Sequence, residues 1–327
     1  MNRELNRERS HLLTYQVAVT EAPLMRGAAF EKNNVTQEIK ISLTGDGELG
    51  FKCVLQNANT PYAKWINKQS QLIDTEWLAS ATSTEGNLAI SLNWLREMAL
   101  KRIEQLHLHE FLIYSPESRS LRCFKEEGQI QPLGIHGEGL FKLLKVLSLK
   151  NHAKLEEINK KLRLIGWFRG FEIPQELLFG DEKILQIKDK YIDKELGYFD
   201  QTSVSEGFLY LLFYFTLFVS DETPPFFAID NIDNSINPKL GWELMEALVN
   251  LAEKYDKQVI LTTHQPGILD GLNLNDDEQR LFVVSRNKSG YTRARRFLKP
   301  KTPEGEEYVR MSEAFLRGYI GGLSKGF

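Results

Sequence analysis

The chain has 327 residues, of which 42% are hydrophobic and 26% are charged, and its formal net charge is −3. These values exclude a disordered chain and are typical of a folded protein with a sizeable core, built as one large domain or two intertwined lobes. The small net charge gives no overall attraction to nucleic acid or membranes, so any basic surface must be local. The two cysteines, Cys53 and Cys123, form no C-x-x-C pair, which argues against a disulfide or zinc framework and fits a reducing cytoplasm.

The first residues do not have the pattern of a targeting signal. The opening MNRELNRERS is densely charged and no apolar segment follows it, so no signal peptide is expected. The most hydrophobic stretch, residues 208–219, is too short for a membrane span and predicts a buried core helix. The sequence therefore predicts a soluble, cytoplasmic protein that does not enter the membrane.

The first half of the chain mixes strand and helix patterns. Short β-rich runs at 13–19, 37–43 and 50–55 predict strands, and TGDGELG between the last two predicts a hairpin. Apolar residues at spacings of three and four predict helix from 62 to about 106 and again over the Lys-rich segment 138–165. We interpret the lysines of that second segment as a solvated helix face.

The second half alternates strands and helices. The predicted strands are FLIYS, KILQIKDKYI, PPFFAID, QVILTTH and RLFVVSRN, and the predicted helices are SVSEGFLYLLFYFTLFVS and PKLGWELMEALVNLAEKY. Such alternation predicts an α/β fold with a parallel sheet, in which functional residues lie at the carboxyl ends of the strands.

Four polar features follow one another within 65 residues of this half. They are Ser205-Glu206-Gly207 at the start of a hydrophobic helix, Asp230 at the end of a buried strand, the turn DNSINP, and His264 at the end of a second strand. Each alone has an ordinary explanation, since Ser is a common N-cap, Asp a common turn residue, and a lone His is usually neutral and hydrogen-bonded. Their order and spacing together favour a functional site.

This order resembles the ATP-binding cassette (ABC) class of ATPase heads, in the branch of OLD-like and RecF-like proteins and bacterial "AAA family" defence ATPases. The resemblance covers most of the chain and is strongest over 196–266. It implies an α/β, P-loop NTPase-like head with an antiparallel β subdomain and a helical insertion. It also implies ATP and Mg²⁺ as cofactors, and a homodimer or higher oligomer that closes around nucleotide.

The resemblance also assigns roles to individual residues. Ser205, Glu206 and Gly207 match the signature motif, whose helix N-terminus contacts the γ-phosphate held by the opposite subunit. Asp230 matches the Walker B carboxylate that holds Mg²⁺, and His264 matches the switch histidine that senses the γ-phosphate. The DNSINP segment resembles the D-loop, which crosses the dimer interface.

One departure from this family is a missing phosphate-binding loop. No G-x-x-x-x-G-K-[ST] occurs in the sequence, and GIHGEGLF at 134–141 lacks both the Lys and the Ser or Thr. Its glycines are better explained by a tight turn into a helix from Gly139 onward. In the family the P-loop precedes a β-meander like that at 13–55, so the chain resembles a head that starts after its P-loop, through truncation, a misassigned start or true loss. The sheet is then expected to show an open edge or gap beside 226–230, unless a partner strand fills it.

A second departure lies at the catalytic position itself. Asn231 stands where the family carries its catalytic Glu, and an amide cannot take a proton from water, so a general base is absent there. Asp233, two residues later and in the segment predicted to bind nucleotide, either substitutes in part or shapes the turn.

The family resemblance suggests four regions and leaves one basic segment to explain. The regions are a β-meander subdomain at 1–60, a helical insertion or arm at 61–185, a C-terminal ATPase lobe at 186–300 and a helical tail at 301–327.

The segment 286–301 contains seven basic residues and no acidic one. It either binds the phosphate backbone of DNA or RNA, or keeps an edge hairpin soluble.

Two functions from different classes remain open. The first is an ATP-dependent switch that gates a separate effector, such as a nuclease, in phage defence or DNA maintenance. The alternative is a degenerate, non-hydrolysing structural or regulatory partner protein, which the missing P-loop and Asn231 both favour. A self-contained metal-dependent nuclease would need three or more clustered acidic residues, and Asp230 with Asp233 does not supply them.

Overall fold

The computed structural model describes the backbone of four strands within residues 16–74, and residues 110–124, 133–174, 184–192, 197–286, 292–298 and 309–321. The chain divides into two compact units. The first comprises 1–102, 274–301 and 320–327, and the second comprises 103–273 and 302–319.

The first unit contains an antiparallel meander and a two-stranded ribbon. The meander has the order β1-β2-β3-β4, with β1 at Gln16–Thr20, β2 at Glu38–Thr44, β3 at Leu49–Gln56 and β4 at Ile66–Asp74. The predicted strands and the hairpin between β2 and β3 are confirmed. The predicted helix from 62 is wrong over β4, because pairing with β3 outweighs the local apolar spacing. The remainder of that prediction, 75–106, lies outside the described residues.

The second unit contains most of the described helices and the parallel sheet. Its strands are β5 (Leu112–Tyr114), β6 (Phe168–Glu172), β7 (Gln186–Asp189), β8 (Phe226–Ile229) and β9 (Gln258–Leu261). Its helices are α1 (Ser118–Arg122), α2 (Leu140–Lys150), α3 (His152–Leu162), α4 (Glu206–Val219), α5 (Pro238–Lys254), α6 (Pro266–Leu269) and α7 (Met311–Leu316).

The sheet that carries the candidate site is parallel and has the order β5-β8-β9. This confirms the predicted α/β architecture for three of the strands. The strands predicted at KILQIKDKYI and RLFVVSRN do not join it. β7 pairs antiparallel with β6, while β10 (Leu281–Arg286) pairs antiparallel with β11 (Thr292–Phe297) in the first unit.

The β8 strand is the middle strand of this sheet. β5 pairs with one of its edges and β9 with the other. The expected open edge beside 226–230 is therefore wrong, because both edges of that strand are already paired. Among the described strands, a further parallel strand could add only to the outer edge of β5 or of β9.

The core of the second unit is built on α4. Every residue from Phe208 to Val219 is buried, which confirms the predicted core helix and fits a helix that is apolar on all sides. The aromatic ring of Phe218 meets Phe227 of β8 with centroids 5.3 Å apart, and Phe213 meets Tyr114 of β5 at 5.9 Å. One face of the sheet is thus covered by α4. On the other face Ile113 is 57% exposed and Ile260 is 48% exposed.

The Lys-rich segment predicted as one helix over 138–165 is two helices. Asn151 separates α2 from α3, with an extended φ of −150°, and its side chain accepts a hydrogen bond from Lys154 N. The predicted turn before this segment is confirmed, since Gly137 and Gly139 have φ of 101° and 84° and α2 begins at Leu140. Four leucines of α2 are buried, while Leu149 and the lysines of α2 are exposed; the buried ones are Leu140, Leu143, Leu144 and Leu147.

The turn from α4 to β8 is held by a partly buried lysine. Lys257 Nζ donates hydrogen bonds to the Thr223 carbonyl at 2.9 Å, to Thr223 Oγ1 at 3.1 Å and to the Pro224 carbonyl at 3.3 Å. Burial lowers the pKa of Lys257 to about 8, below its ordinary value of 10.5. The unfolded chain therefore binds more protons than the folded one between these two pH values, so this residue makes the free energy of unfolding rise with pH across that window.

We expect this rise to be absent in Lys257→Met, which keeps the apolar stem but removes the titrating amine. Between pH 8 and pH 10 the stability of the parent should improve relative to the variant by about 1–3 kcal/mol. Urea unfolding at several pH values measures the difference, and comparing the two proteins cancels the other groups that titrate. Parallel pH profiles would contradict the assignment.

None of the helices in the described parts of the chain is both long and apolar enough to cross a membrane.

Candidate functional site

The site is centred on Asp230, the residue that follows β8. Its backbone N–H donates to the Tyr114 carbonyl at 2.8 Å, which continues the pairing of β8 with β5 by one residue. The side chain is half-buried at the carboxyl end of the sheet. Asp230 therefore lies where parallel α/β sheets place their functional residues, as the sequence predicts.

A residue that the sequence analysis did not select, Thr262, fixes this carboxylate. Thr262 follows β9, and its hydroxyl donates to Asp230 Oδ1 at 2.5 Å while accepting a hydrogen bond from the Asn231 N–H at 2.8 Å. Neighbouring parallel strands end at the same edge, so the two threonines of QVILTTH were the available signal. The chain of hydrogen bonds orients Asp230 while leaving lone pairs on both of its carboxylate oxygens.

The Asn231 position has an unusual backbone conformation. Its φ is 53°, in the left-handed region, which Asn tolerates better than most residues because of its short polar side chain. The side-chain amide lies 3.4 Å from Asp230 Oδ2. The conformation thus gives a local reason for Asn at this place, besides any effect on chemistry.

Asp233 lies in a turn and faces inward. Its carbonyl accepts a hydrogen bond from Ile236 N at 3.1 Å, and its Oδ1 is buried with no hydrogen-bond partner among the described residues. Burial raises the pKa of the Tyr214 hydroxyl, with further contributions from Tyr210 and from the negative charge of Asp233. The contacts of Asp233 therefore favour the turn-shaping role over that of a substitute base.

The start of α4 forms a second group of predicted site residues. Ser205 is the N-cap, and its hydroxyl accepts a hydrogen bond from Phe208 N at 3.4 Å. Gly207 lies so close to the turn at 233–238 that an added Cβ would be 2.8 Å from the Ser235 carbonyl oxygen. Glu206 hydrogen-bonds Ser235 of the same turn. The structure thus brings the start of α4 next to the predicted D-loop.

His264 lies at the same edge as Asp230, two residues beyond Thr262. Its side chain is exposed, and no hydrogen bond from it is seen within the described ranges. An exposed imidazole at the carboxyl end of the sheet is accessible to a ligand bound there.

The site could bind Mg²⁺ through a single carboxylate. The described residues contain no group of three or more His, Cys, Asp or Glu side chains that could hold a metal. Mg²⁺ commonly binds proteins through one or two carboxylates and completes its shell with waters and substrate phosphates. Asp230 can supply that single carboxylate, so the residues present fit a metal that arrives with a nucleotide.

The glycine-rich segment at 134–141 is not shaped for phosphate. Its backbone N–H groups bond within the turn, from Gly137 to the Gly134 carbonyl at 3.0 Å and from His136 to Glu138 Oε2 at 3.0 Å. A carboxylate already occupies the position that an anion would need, so the turn would repel a phosphate rather than bind it.

The basic segment 286–301 begins at Arg286, the last residue of β10, and contains all of β11, while 287–291 and 299–301 lie outside the described residues. Arg293 and Arg295 share one face of β11, as predicted from strand periodicity. Arg296 forms an ion pair with Asp277, and Arg295 donates to the Ile320 carbonyl at 3.3 Å. Arg293 is exposed.

A family model matches most of the region that contains the site. The family model described as "AAA domain, putative AbiEii toxin, Type IV TA system" matches residues 56–270, which is more than half of the chain and includes all the predicted site residues. No protein of curated function shows significant similarity to the sequence.

Several solved structures resemble the chain at low identity. The SMC head domain from Thermotoga maritima is 13% identical over 82% of this chain and 77% of that one, with a TM-score of 0.36. An SMC head bound to the C-winged helix domain of ScpA is 11% identical over 80% and 75%, with a TM-score of 0.42. A structure from work on ATP-driven dimerisation and DNA-stimulated activation of SMC ATPases is 14% identical over 56% and 99%, with a TM-score of 0.38.

Proposed function

Because the chain belongs to this family of AAA domains, an ATPase-like domain of the AAA/ABC type with an α/β fold, we propose that it acts as a nucleotide-dependent switch. The observation that carries the proposal is the Asp230 carboxylate, which is oriented by Thr262 at the carboxyl end of the middle strand of a parallel sheet. A carboxylate in that position is what a Mg²⁺–nucleotide complex requires.

The residues of the site would divide the work between them. Asp230 would hold Mg²⁺, and the bound metal would supply positive charge to the phosphates of ATP. Asn231 orients a water without accepting its proton, and His264 contacts the γ-phosphate. Ser205, at the N-terminus of α4, would contact a nucleotide bound by a second copy of the chain. This contact would favour a dimer.

The family description supports a role in defence. Its words are "putative AbiEii toxin, Type IV TA system". We propose that the closed and open states of the head control a separate effector protein, such as a nuclease. The alternative is a non-hydrolysing partner protein, favoured by Asn231 at the position of the catalytic Glu.

One assembly experiment separates these two functions. A strand–P-loop–helix segment from a related head is joined to the chain, and sedimentation is measured with and without Mg-ATP. The switch is expected to dimerise only with nucleotide, and Asp230→Ala and Ser205→Asp are expected to abolish the response. Ser205→Asp is informative because Asp preserves the N-cap but places a negative charge opposite the phosphate. Dimerisation that ignores nucleotide, or no dimer at all, would contradict the switch and favour the alternative.

The basic ribbon makes a separate, testable prediction about nucleic acid. Reversing the charge of Arg293, Arg295 and Arg296 is expected to weaken binding of a short DNA duplex by about tenfold or more at low salt, and parent binding should fall steeply as salt is added. Fluorescence anisotropy measures both. Because Arg295 and Arg296 also have partners within the chain, Arg293→Glu alone is the cleaner variant.

The matched control for the single variant Arg293→Glu is Lys239→Glu, an equal change of charge at an exposed position of α5. Equal binding by the triple variant and the parent would leave the arginines with a solubility role alone.

A further inference from the structure

Glu206 makes its contacts inside the chain. Its Oε2 accepts a hydrogen bond from Ser235 Oγ at 2.9 Å, so the first residue of α4 is bonded to the turn that follows β8. Hydrogen bonds from Ser118 and Ser235, together with the charge of Arg122, lower the pKa of Glu206. The carboxylate therefore meets three polar groups from two other parts of the second unit, α1 and the turn.

The residues just before α4 are held from the same side. Arg122 donates to the Thr202 carbonyl at 2.7 Å and to Ser118 Oγ at 3.2 Å. The Asp200 carboxylate accepts hydrogen bonds from the backbone N–H groups of Thr202 and Ser203, both at 3.0 Å. The loop that leads to the N-cap is thus held by contacts that do not involve Glu206.

The turn at 233–238 needs such support. Ser235 has a φ of 56°, a left-handed conformation that is costly for a residue other than Gly. The turn also lies against Gly207, where only a residue without a Cβ fits at this separation. A strained turn without further contacts would sample other conformations, so a contact to Ser235 would stabilise the conformation seen in the structure.

The chemistry of Glu206 argues for this task over contact with nucleotide. A carboxylate repels the negatively charged γ-phosphate, and hydrogen bonds from two hydroxyls occupy the side chain. We propose that Glu206 is a positioning residue that locks the turn 233–238 to the start of α4, so that the two elements move as one body. The consequence for a dimer rests on the proposed function: both elements would then reach the second subunit together.

Amide hydrogen exchange of the chain as it stands tests the lock without nucleotide. The N–H of Asn234 donates to the Asn231 carbonyl and that of Ile236 to the Asp233 carbonyl, both at 3.1 Å, and the exchange rates of these two amides report the opening of the turn. We expect Glu206→Ala and Ser235→Ala each to speed the exchange of these two amides about three- to tenfold, with the exchange of α4 core amides unchanged. Glu206→Gln keeps a carbonyl acceptor and should restore much of the protection.

The double variant decides whether the contact itself is responsible. If the two side chains act through one hydrogen bond, the variant with both changes should exchange no faster than the faster single variant. Glu253→Ala, at an exposed position of α5, is the matched control and should leave the turn unchanged. Exchange in Glu206→Ala equal to that in the control, or fully additive effects in the double variant, would overturn the proposal.

The outcome is separable from that of the proposed function. Faster exchange of the turn amides in Glu206→Ala, together with no nucleotide-dependent dimer in the P-loop-joined head, would support the role of Glu206 and contradict the nucleotide-dependent switch. A nucleotide-dependent dimer together with unchanged exchange in Glu206→Ala would reject the lock and retain the switch.

Discussion

A head made by joining a strand–P-loop–helix segment to this chain is expected to hydrolyse ATP about 10²–10⁴ times faster with Asn231→Glu than with Asn231, the range that a positioned general base contributes. The Asn231 amide lies beside Asp230 and can hold a water, but it cannot take the proton that the attacking water must lose. Closure around ATP depends on Asp230 and the P-loop, so the parent should still bind and close. Its long closed state would suit a sensor better than a motor.

The backbone at this position determines the controls. Because φ is 53° at residue 231, a long side chain such as Glu introduces strain that Asn avoids. Asn231→Ala carries a similar strain with no base, and Asn231→Gly relieves the strain with no base. A gain confined to Glu in steady-state ATPase assays identifies base catalysis. Brisk turnover by the parent, with no gain for Glu, would mean that Asp233 or His264 supplies the base.

The parts of the fold that could be predicted are those that depend on local pattern. The run from Phe208 to Val219 is apolar or aromatic at every position except Thr216, so it can only be buried, and it forms the core helix. The run Phe226–Ile229 is short, apolar and followed by Asp230, and it forms the middle strand of the parallel sheet. Proline in the first turn of α5 and glycine before α2 also have the structural roles that their backbone limits predict.

The parts that could not be predicted depend on pairing across the chain. β4 has helix-like apolar spacing and is a strand because β3 is beside it. The sequence pattern predicts β7 and β10 as members of the parallel sheet. Instead, β7 pairs antiparallel with β6, and β10 pairs antiparallel with β11. The order of strands in a sheet is not encoded in the pattern of any one strand, so the expected open edge beside β8 was wrong.

The candidate site shows the same division. Asp230 and His264 follow from their positions at strand ends, and Ser205 follows from its position before an apolar helix. Thr262 becomes visible only when β9 is known to lie next to β8. The contact of Glu206 with Ser235 joins residues 29 positions apart, and no local rule predicts it.

The 327-residue chain by itself is expected to bind Mg-ATP weakly or not at all. A P-loop supplies several backbone N–H groups and one lysine to the phosphates, and each such charge-assisted hydrogen bond contributes about 1.5–3 kcal/mol. Losing only three of them removes roughly 5 kcal/mol or more, a loss in affinity of more than about 10³-fold. The one glycine-rich turn among the described residues cannot compensate, because Glu138 occupies its N–H group at His136.

Isothermal titration of the chain with Mg-ATP measures this directly, with the P-loop-joined head as the positive control. Asp230→Ala in that head is a further control, since it should weaken binding only when Mg²⁺ is present. Low-micromolar affinity of the chain by itself would contradict the prediction and would require a phosphate site built from other residues. Glu138→Gln would then be informative, because removing the charge from the turn at 134–139 should tighten binding if that turn is the site and should leave it unchanged otherwise.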